Sequence, residues 1–359
     1  MILRVAAFSE IAGWDEDAHD AAFAAFKAGA RLIAETPPKT RRLGIDGAAL
    51  QRIARASLDF APRPGRSARG FFESRFVPHL IEAAGFVTGY YEPEVAASPV
   101  RTERFGVPLY RRPDDLVEVL ETERPAGWDP DMRFARRRAR GVVPYFDRAA
   151  IEEGALAGRG LELAWLADPV DAFFIHVQGS ARLRLSDGRT LRIGFDGKSG
   201  HAYTSIGRVA VQRGILSREA ADKDGLETWL KRHPEEGRAL MRENRSFIFF
   251  RATGQSEAEG PIGAAGVPLI AGRSLAVDRT LHTFHTPLWV DAPELPDPEQ
   301  PGRRFRRLMI AHDTGSAIVG PARGDIFVGS GAAAGSIAGR IRHDATMVAL
   351  LPVGAAGAE

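Results

Sequence analysis

Two aspartates near the C-terminal end of the chain are the residues best placed for acid–base chemistry. Asp313 lies just after the strand-like segment 307–311, and Asp325 directly precedes the apolar run 326–328. The short connection between them can bring two strand ends side by side, and neighbouring carboxyls have their pKa values pushed apart. The carboxyl with the higher pKa stays protonated near neutral pH and acts as a general acid. The alternative for each residue is a turn aspartate that hydrogen-bonds its own backbone.

The residues after Asp313 are Thr-Gly-Ser, which looks like the active-site turn of an aspartic protease. Those enzymes need two aspartates that share one proton. The chain has no second Asp-Thr-Gly or Asp-Ser-Gly in a comparable strand context. We therefore keep an aspartic-type hydrolase only as a minor alternative.

Two histidines at 282 and 285 have a spacing that binds metal on a helix, but Pro287 and the surrounding Thr and Phe residues are not helical. A metal site is therefore disfavoured there. The chain has no cysteine, which excludes disulfides, thiolate zinc sites and iron–sulfur clusters.

The arginine-rich segment 133–140 is predicted to be a solvated basic loop within a loop-like region, 111–143. The alternative is contact with an anionic polymer. Lys plus Arg total 48 and Asp plus Glu total 46, so the chain lacks the basic excess of a typical nucleic-acid binder. We expect no nucleic-acid partner.

The elements that must position these residues change in character along the chain. Apolar spacing predicts helices around 15–36, from Asp46 onward and around 71–76, with Asp15 able to cap the first of them. A β-prone run at 86–93 and a hairpin at 182–193 follow, and a helical stretch at 217–243 precedes further strands from Phe247 onward. Short strands with Gly- and Pro-rich connections favour barrels over a doubly wound sheet.

Aromatic and polar residues beside glycines form three runs, at 88–91, 176–180 and 203–208. Rings cover the apolar faces of sugars, and amides or hydroxyls bind their hydroxyl groups. The chain has no strand followed by a glycine-rich phosphate loop, which disfavours kinases, GTPases and dehydrogenases.

Taken in order, several of these segments resemble the MltA family of lytic murein transglycosylases, from about residue 65 to residue 352. The matching segments are VTGYYEP at 87–93, VQGSARL at 177–183, YTSIG at 203–207, NRSFIFF at 244–250, GVPL to RSLAVD at 266–278, and 313–329. Six segments in one order are more specific than any one of them. The C-terminal part resembles the family's aspartate-rich 3D domain.

The resemblance implies a mainly β fold with N-terminal helices. A double-psi β-barrel domain would be formed by residues 1–95 and 245–359, with a smaller β-barrel domain, 96–244, inserted between them and a glycan groove between the two. The family's catalytic acid falls on Asp325 and its neighbouring aspartate on Asp313. Ser316 stands where the family commonly has Gly. A third aspartate of the 3D motif is not assigned, and Asp344 is a poor match.

The implied activity is cleavage of the β-1,4 bond between N-acetylmuramic acid and N-acetylglucosamine in peptidoglycan, with formation of 1,6-anhydromuramoyl ends. Asp325 would act first as acid and then as base, while Asp313 would raise its pKa or hold its hydrogen-bond network. The expected groove residues are Thr88, Tyr90, Gln178, Gly179 and Ser180. No metal or organic cofactor is implied. The alternative from another class is a non-catalytic peptidoglycan-binding or scaffolding protein.

The expected partners are peptidoglycan glycan strands and cell-wall enzyme complexes. The sequence has no apolar run of 18 or more residues, no visible signal peptide and no cysteine for a lipid anchor. A location in the periplasm or cell envelope is therefore inferred from the substrate alone.

Overall fold

The computed structural model describes residues 3–129, 132–254 and 259–354. The chain divides into two compact units. Unit 1 consists of Met1–Tyr91, Glu257–Gly329 and Ile337–Glu359, and unit 2 consists of Glu92–Ser256 and Ser330–Ser336. Both are rich in β-sheet, with helices added to each.

The helices are listed here in chain order. They are α1 His19–Ala28, α2 Ala30–Glu35, α3 Gly47–Leu58, α4 Ala68–Arg75, α5 Arg148–Ala150, α6 Pro169–Gln178, α7 Ile206–Gln212, α8 Lys223–Arg232, α9 Pro234–Arg242 and α10 Gly331–Ala338. Among the described residues, no helix combines the length and the apolar character needed to cross a bilayer.

Within the described residues, the strands form three sheets. They are β1 Leu3–Val5, β2 Phe76–Ile81, β3 Gly85–Glu92, β4 Glu94–Ser98, β5 Val107–Tyr110, β6 Leu116–Glu118, β7 Phe134–Arg138, β8 Gly141–Val143, β9 Glu162–Leu166, β10 Ser180–Leu185, β11 Thr190–Lys198, β12 Ile248–Thr253, β13 Ser274–Val277, β14 Pro287–Pro296, β15 Arg304–Asp313, β16 Arg323–Ser330 and β17 Arg342–Pro352.

Helices α1 to α4 of unit 1 form where apolar spacing predicted helices. Asp46 caps α3, because its side chain accepts a hydrogen bond from the backbone N–H of Ala48. The predicted cap of the first helix is wrong: α1 follows Ala18, and Asp15 lies in a preceding 3₁₀ turn. The chain turns between Asp15 and α1, so Asp15 lies outside the helix that it was predicted to cap.

The sheet of unit 1 has the strand order β1-β2-β17-β14-β15-β13-β16-β3, and β17 also pairs with β3. Six of these strands, from β17 round to β3, therefore close into a ring. The pair β13–β15 is parallel, whereas β14 is antiparallel to both of its neighbours. Apolar side chains fill the core, and α1, α3 and α4 contribute to it.

The larger sheet of unit 2 has the order β12-β11-β10-β4-β9-β5. A single bridge between Arg111 and Phe250 joins its two ends. The predicted hairpin is confirmed: β10 and β11 pair with Arg182 opposite Arg192, and Gly188 provides the left-handed turn conformation at φ 86°. Helices α8 and α9 confirm the helical prediction for 217–243.

The predicted loop at 111–143 is wrong in part, because β6, β7 and β8 form a three-stranded sheet there. The arginine-rich segment is largely strand β7. Arg136 bonds Asp115 at 2.9 Å, and its guanidinium lies 4.4 Å from the ring centre of Phe146. The aliphatic part of an arginine side chain can cover apolar surface while its charge stays paired or solvated. An arginine-rich segment can therefore form a strand, although its charges are typical of a solvated loop.

Candidate active site

Asp313 and Asp325 approach each other across one intervening strand. Ala276 of β13 is in register with Asp313 of β15 on one side and with Asp325 of β16 on the other. Two strand spacings separate the two backbones by roughly 9.5 Å. The sequence predicted strand ends side by side, and the structure corrects this by placing β13 between them. Both residues are half-buried.

Asp325 is bonded by a residue from the N-terminal part of unit 1. The hydroxyl of Thr88 donates to Oδ1 of Asp325 at 2.5 Å, and Nη2 of Arg323 donates to Thr88 Oγ1 at 2.6 Å. A guanidinium has donors only, so Thr88 Oγ1 accepts from Arg323 and its own proton is left to donate to Asp325. Oδ1 is thereby used as an acceptor, which leaves Oδ2 available to carry an acidic proton.

The pKa of Asp325 is raised to about 6. Removal of its carboxylate from water is the main cause, and the negative charge of Asp313 adds to it. The Thr88 hydrogen bond and the Arg323 charge oppose this increase. Asp325 is therefore a carboxyl that can release and recover a proton near neutral pH.

Asp313 is held as an acceptor at both oxygens. The Tyr90 hydroxyl donates to Oδ2 at 2.9 Å, and the backbone N–H of Ala264 donates to Oδ1 at 2.9 Å. Burial raises the pKa of Asp313, although these hydrogen bonds oppose the increase. Burial and the charge of Asp313 raise the pKa of Tyr90 well above its ordinary value, so Tyr90 remains a neutral donor.

Strands β3 and β16 are neighbours, and their side chains contact in three rows. The rows are Phe86 with Arg323, Thr88 with Asp325, and Tyr90 with Phe327. Residue numbers rise together on both strands, as in a parallel pair. Alternate residues share one face of a strand, and each strand contributes every second residue to these rows.

Arg323 is a residue of the candidate site that the sequence patterns did not predict. The sequence contained a signal for Arg323, because it stands two positions before Asp325 on a strand-like run. Residues two positions apart on a strand lie on the same face. The sequence patterns also did not predict a role for Asp278. Its Oδ2 accepts a hydrogen bond from the backbone N–H of Gly320 at 2.9 Å. Asp278 thus holds the end of the connection that joins β15 to β16.

Two family models match the chain. The MltA specific insert domain matches residues 86–251, and the 3D domain matches residues 273–351. A crystal structure of membrane-bound lytic murein transglycosylase from Agrobacterium tumefaciens is 42% identical, with a TM-score of 0.90 and coverage of 98% of each chain.

The chain belongs to the MltA family. The membrane-bound lytic murein transglycosylase A of Vibrio cholerae is 37% identical over 55% of this chain and 53% of its own length. Escherichia coli MltA with bound chitohexaose is 30% identical, with a TM-score of 0.63 and coverage of 85% of this chain and 82% of that one. This chain spans 53% to 63% of the lengths of the curated relatives it matches.

The matches to the MltA specific insert domain and to the 3D domain divide the candidate site between them. Asp313, Arg323 and Asp325 fall in the 3D match, whereas Thr88 and Tyr90 fall in the match to the insert domain. In the structure all five residues belong to unit 1. Strand β3 thus contributes to the ring of unit 1 although the insert model includes most of it.

The other predicted groove residues of this MltA family member lie in unit 2. Gln178 ends α6, Gly179 has a left-handed φ of 79°, and Ser180 begins β10. The glycine allows the helix to end sharply and the strand to start at once. Their contact with substrate remains a prediction.

Three histidines of this MltA family member, His282, His285 and His312, are buried. Nε2 of His282 lies 2.8 Å from the carbonyl oxygen of Pro321, and His285 packs 5.3 Å from His312. In the part of the chain that the structure describes, no group of three His, Asp or Glu side chains is arranged to hold a metal ion. Asp344, the poor match for a third 3D aspartate, is exposed on β17 opposite Phe86.

Proposed function

We propose that this chain is a peptidoglycan lytic transglycosylase that cleaves the β-1,4 bond between N-acetylmuramic acid and N-acetylglucosamine. The observation that carries the proposal is Asp325, a carboxyl with a pKa of about 6 that is oriented by Thr88 in a member of the MltA family. The relatives from Vibrio cholerae and Agrobacterium tumefaciens are named lytic murein transglycosylases.

In the first step, Asp325 donates the proton on Oδ2 to the glycosidic oxygen. The bond between C1 of N-acetylmuramic acid and that oxygen breaks, and N-acetylglucosamine leaves with a free 4-hydroxyl. Positive charge develops at C1, as in glycosidases generally. Because Thr88 donates to Oδ1 at 2.5 Å, the carboxylate formed at this moment already has a hydrogen-bond donor.

In the second step, the C6 hydroxyl of the same N-acetylmuramic acid attacks C1, and Asp325 accepts its proton. The product has a 1,6-anhydro bond, no water is consumed, and the acid is restored. One carboxyl is sufficient because the nucleophile belongs to the substrate. A hydrolase would need a second carboxylate to activate water or attack C1.

Asp313 has a supporting role in this proposal. Its negative charge helps to raise the pKa of Asp325, and its two oxygens hold Tyr90 and the backbone at Ala264. Thr88 and Tyr90 of strand β3 would contact the glycan. Gln178, Gly179 and Ser180 are proposed as further glycan contacts. No metal or organic cofactor enters any step.

We also propose that the six-stranded ring of unit 1 is a double-psi β-barrel, and that the larger sheet of unit 2 is a smaller inserted β-barrel. Closure through β17–β3, the mixture of parallel and antiparallel pairs, and assembly from both ends of the chain support the first assignment. The bridge from Arg111 to Phe250 supports the second. In sequence, we place the domains at 1–95 with 245–359, and at 96–244.

The proposed partners are peptidoglycan glycan strands, with no nucleic acid. Escherichia coli MltA has been crystallised with chitohexaose, a polymer of the same β-1,4-linked sugar backbone. The relatives are named membrane-bound enzymes of murein, so we place this chain in the cell envelope. Association with cell-wall enzyme complexes is part of the same proposal.

The test is digestion of purified peptidoglycan sacculi by the parent chain, by Asp325→Asn and by Asp187→Asn, followed by mass spectrometry of the new sugar ends. Asp187 lies in the β10–β11 turn and pairs with Arg189, so it is a matched control away from the acid. We expect anhydro ends from the parent and from Asp187→Asn, and none from Asp325→Asn. Reducing ends from the parent would identify a hydrolase, and binding without cleavage would identify a non-catalytic glycan-binding protein.

A further inference from the structure

We propose that Phe86, flanked by Arg323 and Asp344, forms a shelf that binds one sugar ring of the glycan beside the acid. This inference rests on the proposed function, because it names where a neighbouring sugar of the same substrate is held. The ligand class is a pyranose of a β-1,4-linked amino-sugar strand.

Phe86 is an exposed aromatic residue on strand β3, which is paired with a neighbouring strand on each side. It is 38% exposed, although the next residue, Val87, is fully buried in the ring of unit 1. Its backbone N–H donates to the carbonyl oxygen of Ala322 at 3.0 Å, and Gly85 beside it packs so tightly that a Cβ would meet the carbonyl oxygen of Ala345. The ring is therefore presented outward by a strand paired on both sides.

Polar groups flank the Phe86 ring on both neighbouring strands. On β16, the guanidinium of Arg323 lies 5.7 Å from the ring centre. On β17, Asp344 is directly in register with Phe86 and is exposed. An aromatic face between a donor and an acceptor matches a sugar, whose C–H face packs on a ring while its hydroxyls bind charged groups at the edges.

The shelf is continuous with the acid. Phe86 and Thr88 are two positions apart on one strand face, which separates them by roughly 6.6–6.8 Å along the strand. That spacing is comparable to the length of one sugar ring. Arg323 contacts both residues, since its Nη2 also donates to Thr88 Oγ1 at 2.6 Å. A sugar on Phe86 would thus be next to the one whose bond Asp325 cleaves.

The first arm of the test measures binding without turnover. Chitohexaose is titrated calorimetrically into Asp325→Asn, with and without Phe86→Ala. Loss of one aromatic–sugar contact should weaken binding by about 10-fold. Phe86→Tyr should retain the affinity of its background, and Asp344→Asn should weaken it by a smaller factor. Val5→Ala, on the distant edge strand β1 and 62% exposed, is the control and should change nothing.

The second arm measures turnover of peptidoglycan glycan strands by Phe86→Ala with Asp325 intact. We expect KM to rise by about 10-fold while kcat stays within about 2-fold, since the shelf binds the ground state and the transition state equally. Unchanged affinity and KM in Phe86→Ala, or a fall in kcat alone, would overturn the shelf. A parent that binds chitohexaose through Phe86 yet produces no anhydro ends would refute the proposed function and leave the shelf supported.

Discussion

The hydroxyl of Thr88 donates a 2.5 Å hydrogen bond to Oδ1 of Asp325, although the two residues are 237 positions apart in the chain. Strand β3 brings the threonine to β16, and Arg323 holds the other side of the hydroxyl at 2.6 Å. The orientation of the acid is thus set by a residue from the opposite end of the sequence.

Replacement of Thr88 by valine should raise the pKa of Asp325 further, because the Thr88 hydrogen bond lowers it. Valine keeps the shape and removes the donor. We expect the basic limb of the pH–rate profile to move to higher pH and the maximal rate to fall by about 5- to 10-fold, as for loss of one hydrogen bond to a charged group. Thr88→Ser keeps the hydroxyl and should retain the parent profile. An unshifted limb in Thr88→Val would contradict the assignment of the acid.

Activity should fall as pH rises through about 6, the pKa of Asp325. The acid must be protonated to donate to the glycosidic oxygen, and above this pKa the carboxylate predominates. The measurement is kcat/KM for release of anhydro ends from about pH 4 to about pH 9. A rate that rises with pH across this range would assign Asp325 the role of a base in the free enzyme.

Arg323→Gln should shift the basic limb of the profile in the same direction as Thr88→Val. The Arg323 charge lowers the pKa of Asp325, and its loss removes that effect together with the bond to Thr88. Arg323→Lys keeps the charge and should shift the limb less. The double variant Thr88→Val/Arg323→Gln should show less than the sum of the single effects, because both residues act through one hydroxyl. Full additivity would show that Arg323 acts independently of Thr88.

Asp325→Asn should stabilise unit 1 at neutral pH. The folded pKa is raised from 3.8 to about 6, so the folded state binds the proton more tightly than the unfolded state. The stability contributed by this group is present at low pH and is lost as pH rises from 3.8 to about 6. Above that range the variant should gain up to about 3 kcal/mol, and below about pH 4 it should gain nothing.

The measurement is urea unfolding of the parent and of Asp325→Asn at both ends of this pH range. Asp187→Asn is the control, since Asp187 is an exposed turn residue whose pKa is lowered by its hydrogen bonds to Arg189. It should show no gain at neutral pH. A gain by Asp325→Asn that is equal at both pH values would contradict the raised pKa.

Asp17→Ala should destabilise the chain by about 3–5 kcal/mol, because it leaves the buried guanidinium of Arg273 without its counter-charge. Asp17 accepts two bonds of 2.8 Å from Arg273 and one of 3.0 Å from the backbone N–H of Leu308. Thermal unfolding measures the loss. Asp187→Ala, which breaks an exposed pair, should leave the transition temperature unchanged, and an equal loss in both variants would rule out burial as the cause.

The local elements of this chain follow from local patterns. Alternation of apolar residues on both sides of Gly188 predicts the β10–β11 hairpin, and Asp46 before an amphipathic run predicts the start of α3. Strand β7 was missed because its arginines resemble a solvated loop until Asp115 and Phe146 are placed beside Arg136. Periodicity indicates which residues share one face of a helix or strand. It does not indicate which other helix or strand packs against that face.

The sequence by itself determined the chemistry available: a carboxyl at Asp325, a second at Asp313, no cysteine, and ordered segments that identify the MltA family. The tertiary structure decided how that chemistry is arranged. It placed β13 between the two aspartates, joined Thr88 to Asp325, and set Phe86 between Arg323 and Asp344. The physical reason is that strand order and register arise from contacts between distant segments, and a shift of one residue would turn every side chain of a strand to its opposite face.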